Sequence, residues 1–190
     1  MGKLKRRRLV ADILSRRGDA LVVAGLGSPV WDVTAAGDVA ENLYLWGSMG
    51  LATPVGLGLA LARPERRVVV MTGDGEMMMG LGSLAVAAAE APDNLAILVL
   101  DNESFAETGG QVGLTSGKAD IAAMALGAGL RESRTVREPV ELESLASFLL
   151  ESQGPVLAVA KVEAGEDELV LPSKDGREIA DRFRAAAVAS

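Results

Sequence analysis

Two short groups of residues in this 190-residue chain have the types and spacing to do chemistry. The first is Gly73-Asp74-Gly75, at the end of a run of Val and Met from Arg67 to Thr72. The second is Asp101-Asn102-Glu103-Ser104, at the end of the apolar run Leu95 to Leu100, with 26 residues between Gly75 and Asn102. A carboxylate and an amide oxygen at matching ends of two buried strands suit a hard divalent cation such as Mg²⁺, which takes few protein oxygens and fills its shell with water and phosphate. The glycines beside Asp74 let backbone approach a ligand closely, and a helix starting there offers free N–H groups to a diphosphate. A plain Asp-Gly hairpin turn fits poorly, because Met78 onward has helical rather than alternating spacing.

Composition removes most other chemistry. The chain has no Cys and no His, which excludes disulfides, iron–sulfur ligation, thiolate catalysis, His-based triads and most zinc sites. What remains is chemistry run by carboxylates, backbone amides, an oxygen-bound metal or an organic cofactor. With 19 basic against 26 acidic residues and a net charge of −7, the balance argues against binding a phosphate backbone, so no nucleic-acid partner is expected. The cluster Lys3, Lys5, Arg6, Arg7, Arg8 reads as the solvated face of a first helix, since Leu9, Val10, Ile13 and Leu14 continue at helical spacing. The longest apolar run, Gly50 to Ala62, is short for a bilayer span and carries Pro54 and several glycines. No signal peptide is expected, and the reading is a soluble, cytoplasmic protein without a membrane partner.

The elements that must position these residues alternate between short β-like and longer helical runs. Helices are expected at Leu4–Arg17, Met49–Ala62, Met78–Ala91, Asp120–Ala128 and Pro139–Glu151, and strands at Ala20–Ala24, Asn42–Trp46, Arg67–Thr72, Leu95–Leu100, Arg134–Arg137 and Pro155–Val162. The clearest strands are apolar without alternation, so buried on both faces. Such strands separated by helices give an α/β, doubly wound, mainly parallel sheet with helices on both faces, whose ligands bind at the carboxyl ends of the strands. Residues 1–165 are expected to form one domain. Residues 166–190 are a charged tail with a short C-terminal helix whose apolar positions are Ile179, Phe183 and Ala187.

Gly73-Asp74-Gly75, the gap and Asn102 resemble the cofactor motif of the thiamine diphosphate-dependent decarboxylase family, in its diphosphate-binding domain. A second block, Gly47-Ser48-Met49-Gly50-Leu51-Ala52, is similar to that family's Gly-x-Met-Gly segment. With Thr108-Gly109-Gly110-Gln111, these blocks look most like sulfopyruvate and phosphonopyruvate decarboxylases, over about Asp19 to Val162. The resemblance implies the thiamine diphosphate-binding fold. It implies that Asp74, Asn102 and the carbonyl of Ser104 hold Mg²⁺, that Met49 is the wedge bending the cofactor, and that Gly47 supplies a carbonyl to its amino group. Ser48, Gly73, Gly75, Glu76 and Phe105 complete the implied cofactor-binding set. Glu76 replaces the small residue usual in those decarboxylases, and a carboxylate there repels a diphosphate unless it turns to solvent or to the metal.

Enzymes of this family also need a pyrimidine domain carrying an activating Glu, and none of this chain's carboxylates matches it. The resemblance therefore implies a separate, alpha-type pyrimidine-domain subunit, a homodimer of this chain at least, and a small 2-oxo acid substrate decarboxylated to an aldehyde and CO₂. The alternatives are a non-catalytic thiamine diphosphate-binding paralogue, to which Glu76 leans, and the beta subunit of a 2-oxoacid oxidoreductase, which often carries cluster cysteines. A dinucleotide site on Gly25-Leu26-Gly27 lacks its third glycine, because Val30 stands there. The small residues Ala52, Gly56 and Ala60, spaced by four, suit either close approach of a second helix or core packing.

Overall fold

A computed structural model describes residues 3–165 and 167–189. Met1, Gly2, Glu166 and Ser190, which the expected domain and tail include, lie outside the described residues. The chain runs α1 (Arg6–Leu14), β1 (Leu21–Ala24), α2 (Ser28–Ala36), β2 (Asn42–Tyr44), α3 (Ala52–Ala62), β3 (Val68–Gly73), α4 (Asp74–Met79), α5 (Ser83–Glu90) and β4 (Leu95–Asp101). A two-stranded hairpin follows, β5 (Ser104–Phe105) and β6 (Gln111–Val112), then α6 (Ile121–Gly127), β7 (Glu132–Val136), α7 (Leu142–Glu151), β8 (Val156–Lys161) and α8 (Gly176–Val188).

Six strands form one sheet in the order β2-β1-β3-β4-β8-β7, with every pairing parallel. The absence of alternation in the sequence has a direct cause. Val22, Ala24, Val69, Met71, Ala96, Leu98, Ala158 and Ala160 face one core, under α1, α2 and α7. Leu21, Val23, Val68, Val70, Leu95, Ile97, Leu157 and Val159 face the other, under α3, α5 and α6. Both faces are covered, so both must be apolar, and the fold is the expected doubly wound α/β sheet.

From β1 the chain moves outward to β2, then crosses back to place β3 on β1's other side. The crevice between β1 and β3 is therefore the topological switch point, where open α/β sheets bind ligands. Residue pairing brings Gly73 of β3 beside Leu100 of β4, so Asp74 and Asn102 leave the sheet side by side.

Several elements differ from the sequence reading. Helix α2 was not expected: Val30, Val33 and Thr34 are poor helix formers, and its buried face includes Asp32, which breaks the apolar period. The helix expected from Met78 is two, α4 and α5, parted at Gly80-Leu81-Gly82. A Cβ on Gly80 would lie 2.1 Å from the carbonyl oxygen of Gly50, so the backbone there is held against the loop that precedes α3. Helix α3 starts at Ala52 rather than Met49, because Ser48 and Gly50 take positive φ (61° and 88°). Its small residues face the sheet, not another helix: a Cβ on Gly56 would meet Val70 Cγ2 at 2.1 Å. Helix α8 buries Ile179, Phe183 and Ala187. No helix among the described residues is long and apolar enough to cross a membrane.

Candidate active site

One cleft opens at the carboxyl ends of β1, β3 and β4. It is lined by Leu26, Ser28 and Pro29 after β1, by Met49, by Gly73 at the end of β3 and Asp74 to Glu76 after it, by Leu100 of β4 and Asn102, Ser104 and Phe105 after it, by Ala106 to Thr108, and by Arg6 of α1. Of the residues singled out in the sequence, it brings together Met49, Gly73, Asp74, Gly75, Glu76, Asn102, Ser104 and Phe105. Gly47 and Ser48 stand on the loop before Met49 and do not line it; Thr108 does, whereas Gln111 and Lys118 do not. Lys118 lines a separate polar cavity with Asp120, Arg137 and Lys161.

Asp74 begins α4 and is 3% exposed. Its Oδ2 lies 3.1 Å from the hydroxyl of Thr115, which also lies 2.7 Å from Asp101 Oδ1. A hydroxyl has one proton to donate, and the shorter contact goes to Asp101. Asp101 has its own cation as well: Lys161 Nζ reaches Asp101 Oδ2 at 2.7 Å, Glu103 Oε1 at 2.9 Å and the Thr115 carbonyl at 3.2 Å. Burial opposes the charge on Lys161, but the contacts to Asp101 and Glu103 outweigh it and raise its pKa. The hydrogen bond from Lys161 in turn lowers that of Glu103.

Asp74 has no such partner among the described residues. Burial first, and the neighbouring Asp101 charge second, push its pKa up to about 6, tempered by the nearby Thr115 hydroxyl and the Asp74 and Gly75 amides. A buried carboxylate without a cation is costly, and a bound divalent ion removes that cost. Asn102 lies beside it in an Asx turn, its Oδ1 accepting from Ser104 N at 3.0 Å. The backbone between them is strained, with Glu103 at φ 62°, which turns Ser104 back into the cleft. One carboxylate, one amide oxygen and one carbonyl fit Mg²⁺, which keeps part of its octahedral shell for water and phosphate. Among the described residues no group of three or more acidic side chains could hold a metal alone, so a ligand's own oxygens are needed to complete such a shell.

The remaining predicted residues shape the walls. A Cβ on Gly75 would lie 3.0 Å from Phe105 Cε1 and 3.7 Å from Met49 Cε, so Gly75 lets these two side chains close over the start of α4. Met49 is 39% exposed. Glu76 turns neither to solvent nor to the metal ligands. It is buried, accepts a hydrogen bond from Thr72 Oγ1 at 2.8 Å, and occupies space that only Gly25 leaves free, since a Cβ there would lie 1.9 Å from Glu76 Oε2. Burial raises its pKa, tempered by Thr72 and the nearby Ala52, Gly50 and Leu26 amides, although none is aligned closely enough on Oε1 to count as a hydrogen bond. Gly25 is thereby explained without a dinucleotide.

Arg6, Leu26, Ser28 and Pro29 were missed by the sequence reading. Arg6 is the plainest correction: it is 6% exposed, not on a solvated face. Its Nε donates to Asp32, which is fully buried and also accepts from Arg7 Nε at 3.1 Å. The only signal in the sequence was Asp32, an acid within an otherwise apolar stretch.

Residues 29–160 fit the family model described as thiamine pyrophosphate enzyme, C-terminal TPP binding domain, and the chain belongs to that family. Within it, the similar curated proteins at 37–40% identity are decarboxylases. The chain is 37% identical over 180 residues to sulfopyruvate decarboxylase subunit beta of Methanothermobacter thermautotrophicus, covering 95% of this chain and 94% of that one. It is 40% identical over 168 residues to phosphonopyruvate decarboxylase of Streptomyces viridochromogenes, spanning 88% of this chain but 42% of the relative. The fold is shared with an enzyme from Mycobacterium smegmatis assigned as thiamin diphosphate-dependent, with a TM-score of 0.73 and 23% identity over 85% of this chain and 32% of that one.

Proposed function

We propose that this chain is the diphosphate- and Mg²⁺-binding subunit of a thiamine diphosphate-dependent 2-oxo acid decarboxylase of the sulfopyruvate type, yielding an aldehyde and CO₂. The observation that carries the reading is Asp74, a buried carboxylate without a cation, set beside Asn102 and Ser104 at the switch point of a chain in this family. Thiamine diphosphate, if bound, would supply a nucleophilic carbon and an electron sink for the loss of CO₂ from a 2-oxo acid. This chain's residues do the positioning. Asp74, Asn102 and the Ser104 carbonyl would hold the metal and through it the diphosphate. Met49 and Phe105 form an apolar wall that keeps the ring end of the ligand out of water.

Activity requires a second, pyrimidine-domain subunit that supplies the activating Glu, and the 39% exposure of Met49 leaves that side of the cleft unfinished. The name "subunit beta" of the Methanothermobacter relative supports a two-subunit assembly, here read as including a homodimer of this chain in the cytoplasm. Glu76 does not favour a non-catalytic paralogue, because its Oε2 accepts from Thr72 and sits in the space that Gly25 leaves.

The test is a turnover assay on the chain mixed with its alpha-type subunit, thiamine diphosphate and Mg²⁺, measuring CO₂ and aldehyde from sulfopyruvate, phosphonopyruvate and pyruvate. The expected result is release from an anionic-tailed 2-oxo acid by the mixture and none by either subunit alone. A mixture that binds the cofactor yet decarboxylates no 2-oxo acid would return the chain to the non-catalytic reading.

A further inference from the structure

Arg6 lies outside the stretch matched to the family model, which begins at residue 29, yet it lines the same cleft as Asp74 and Asn102. Its placement is built. Leu4 pairs with Val162 just beyond β8, and Lys3 reaches Glu103 at 3.3 Å, so α1 begins at the carboxyl end of the sheet beside the loop that carries Asn102 and Ser104. The guanidinium is then clamped from behind: Nε donates to Asp32, while Asp167, half-exposed, stands 3.7 Å from Nη2. Neither Nη1 nor Nη2 makes a hydrogen bond to any described residue, although the residue is more than nine-tenths buried. Nη1 has no partner among the described residues and Nη2 has only the 3.7 Å ion pair with Asp167, so the guanidinium keeps N–H groups for a further ligand.

Among the described residues, Arg6 is the one basic residue lining a cleft that also holds Asp74, Glu76 and Glu107, so an anion bound there depends on its free N–H groups. Asp32 is shared by two guanidiniums, those of Arg6 and Arg7, and the second carboxylate near Arg6, Asp167, is half-exposed and stands beyond hydrogen-bond distance. Ser28 lines the same end of the cleft as the first residue of α2, and its hydroxyl has no hydrogen-bond partner among the described residues. A nine-residue helix that starts there without a side-chain cap adds the positive end of its dipole. The metal ligands Asp74, Asn102 and Ser104 line the cleft as well. A diphosphate with a metal on one flank needs a second positive group on the other, since one Mg²⁺ does not offset its full charge.

We propose that Arg6, assisted by Ser28, is a direct ligand of the terminal phosphate of a diphosphate bound in this cleft, with Asp32 as its positioning residue. The proposal rests on the reading of the cleft as a thiamine diphosphate site. Arg6 binds by a charge-assisted, forked contact that a lysine cannot reproduce.

The test is equilibrium binding of three probes, thiamine diphosphate with Mg²⁺, thiamine monophosphate and thiamine, to the full chain alone and with its partner subunit. The variants are Arg6→Lys, Arg6→Gln, and Arg6→Gln combined with Asp32→Asn, which removes the carboxylate that the single change would leave to Arg7 alone. Arg7→Gln, which touches Asp32 but does not line the cleft, reports the cost of disturbing Asp32 alone. Thermal unfolding confirms that each variant is folded. Arg6→Gln and the double variant are expected to weaken diphosphate binding about tenfold or more, the loss of one charge-assisted contact, with Arg6→Lys between them and wild type. Affinity for thiamine stays unchanged in all, and Arg7→Gln binds like wild type. Equal diphosphate affinity with and without Arg6 overturns the assignment. So does a parallel loss for thiamine, which marks a purely structural role, and so does unchanged cofactor affinity with a raised KM for an anionic 2-oxo acid, which gives Arg6 to the substrate. Failure of the wild-type chain to bind thiamine diphosphate in any condition would refute the cofactor reading itself.

Discussion

Asp74→Asn tests whether the site is built at the expense of the fold. In the ligand-free chain, burial and the Asp101 charge raise the carboxyl from its ordinary value of 3.8 to about 6. The folded state thus holds that proton more tightly than the unfolded state. The sign follows: Asp74 costs nothing below pH 3.8, and stability is lost progressively as pH rises through about 6. At about 1.4 kcal/mol per pH unit, the penalty above that window is ~3 kcal/mol. Asparagine has nearly the same shape, can donate through its amide to the Thr115 hydroxyl oxygen, and carries no charge. Asp74→Asn is therefore expected to stabilise the metal-free chain at pH 8 by roughly 1–3 kcal/mol, or several degrees in Tm for a chain of this size, and to have almost no effect at pH 4. Urea unfolding of both proteins at the two pH values measures this. With Mg²⁺ and thiamine diphosphate present the order should reverse, because only the wild type gains from the bound ion. A metal-free variant less stable than wild type at pH 8 would refute the claim that Asp74 is an uncompensated charge.

Three other expectations follow from single contacts. Gly25→Ala drives a Cβ to 1.9 Å from Glu76 Oε2 and should cost about 1–3 kcal/mol of stability, as overpacking does. Pairing it with Glu76→Ser should recover most of that, so a double-mutant cycle by urea unfolding reads a coupling that additive changes would not give. Lys161→Met leaves Asp101 buried without its 2.7 Å partner and should destabilise by about 3 kcal/mol, a loss partly restored by adding Asp101→Asn. Met49→Ala removes a side chain that is 39% exposed, so Tm should move little, while turnover in the assembled enzyme falls at least tenfold if the side chain orients the cofactor.

The parts of the site that could be read from the sequence are those that depend on strand ends. Uninterrupted apolar runs had to be strands covered on both faces, and their last residues had to meet at one edge, which placed Asp74 beside Asn102 before any coordinates. The parts that could not be read depend on residues distant in sequence packing together. Arg6 is three residues from Leu9 on an amphipathic helix, and nothing local distinguishes it from Arg8, which stays exposed. Only the fold brings Asp32 beneath it. Glu76 looked like a hazard to a diphosphate because the sequence does not show that Gly25, from another strand, has left room for its carboxylate. The break between α4 and α5 was hidden for the same reason: Gly80 reads as a tolerated helical glycine until Gly50 is found against it.

The most direct test of the account is calorimetric titration of thiamine diphosphate into the wild-type chain and Asp74→Asn, each with and without Mg²⁺. The account predicts binding to the wild type that requires the metal and disappears in a variant already shown to be folded. Binding that ignores Mg²⁺, or that survives Asp74→Asn unchanged, would contradict it.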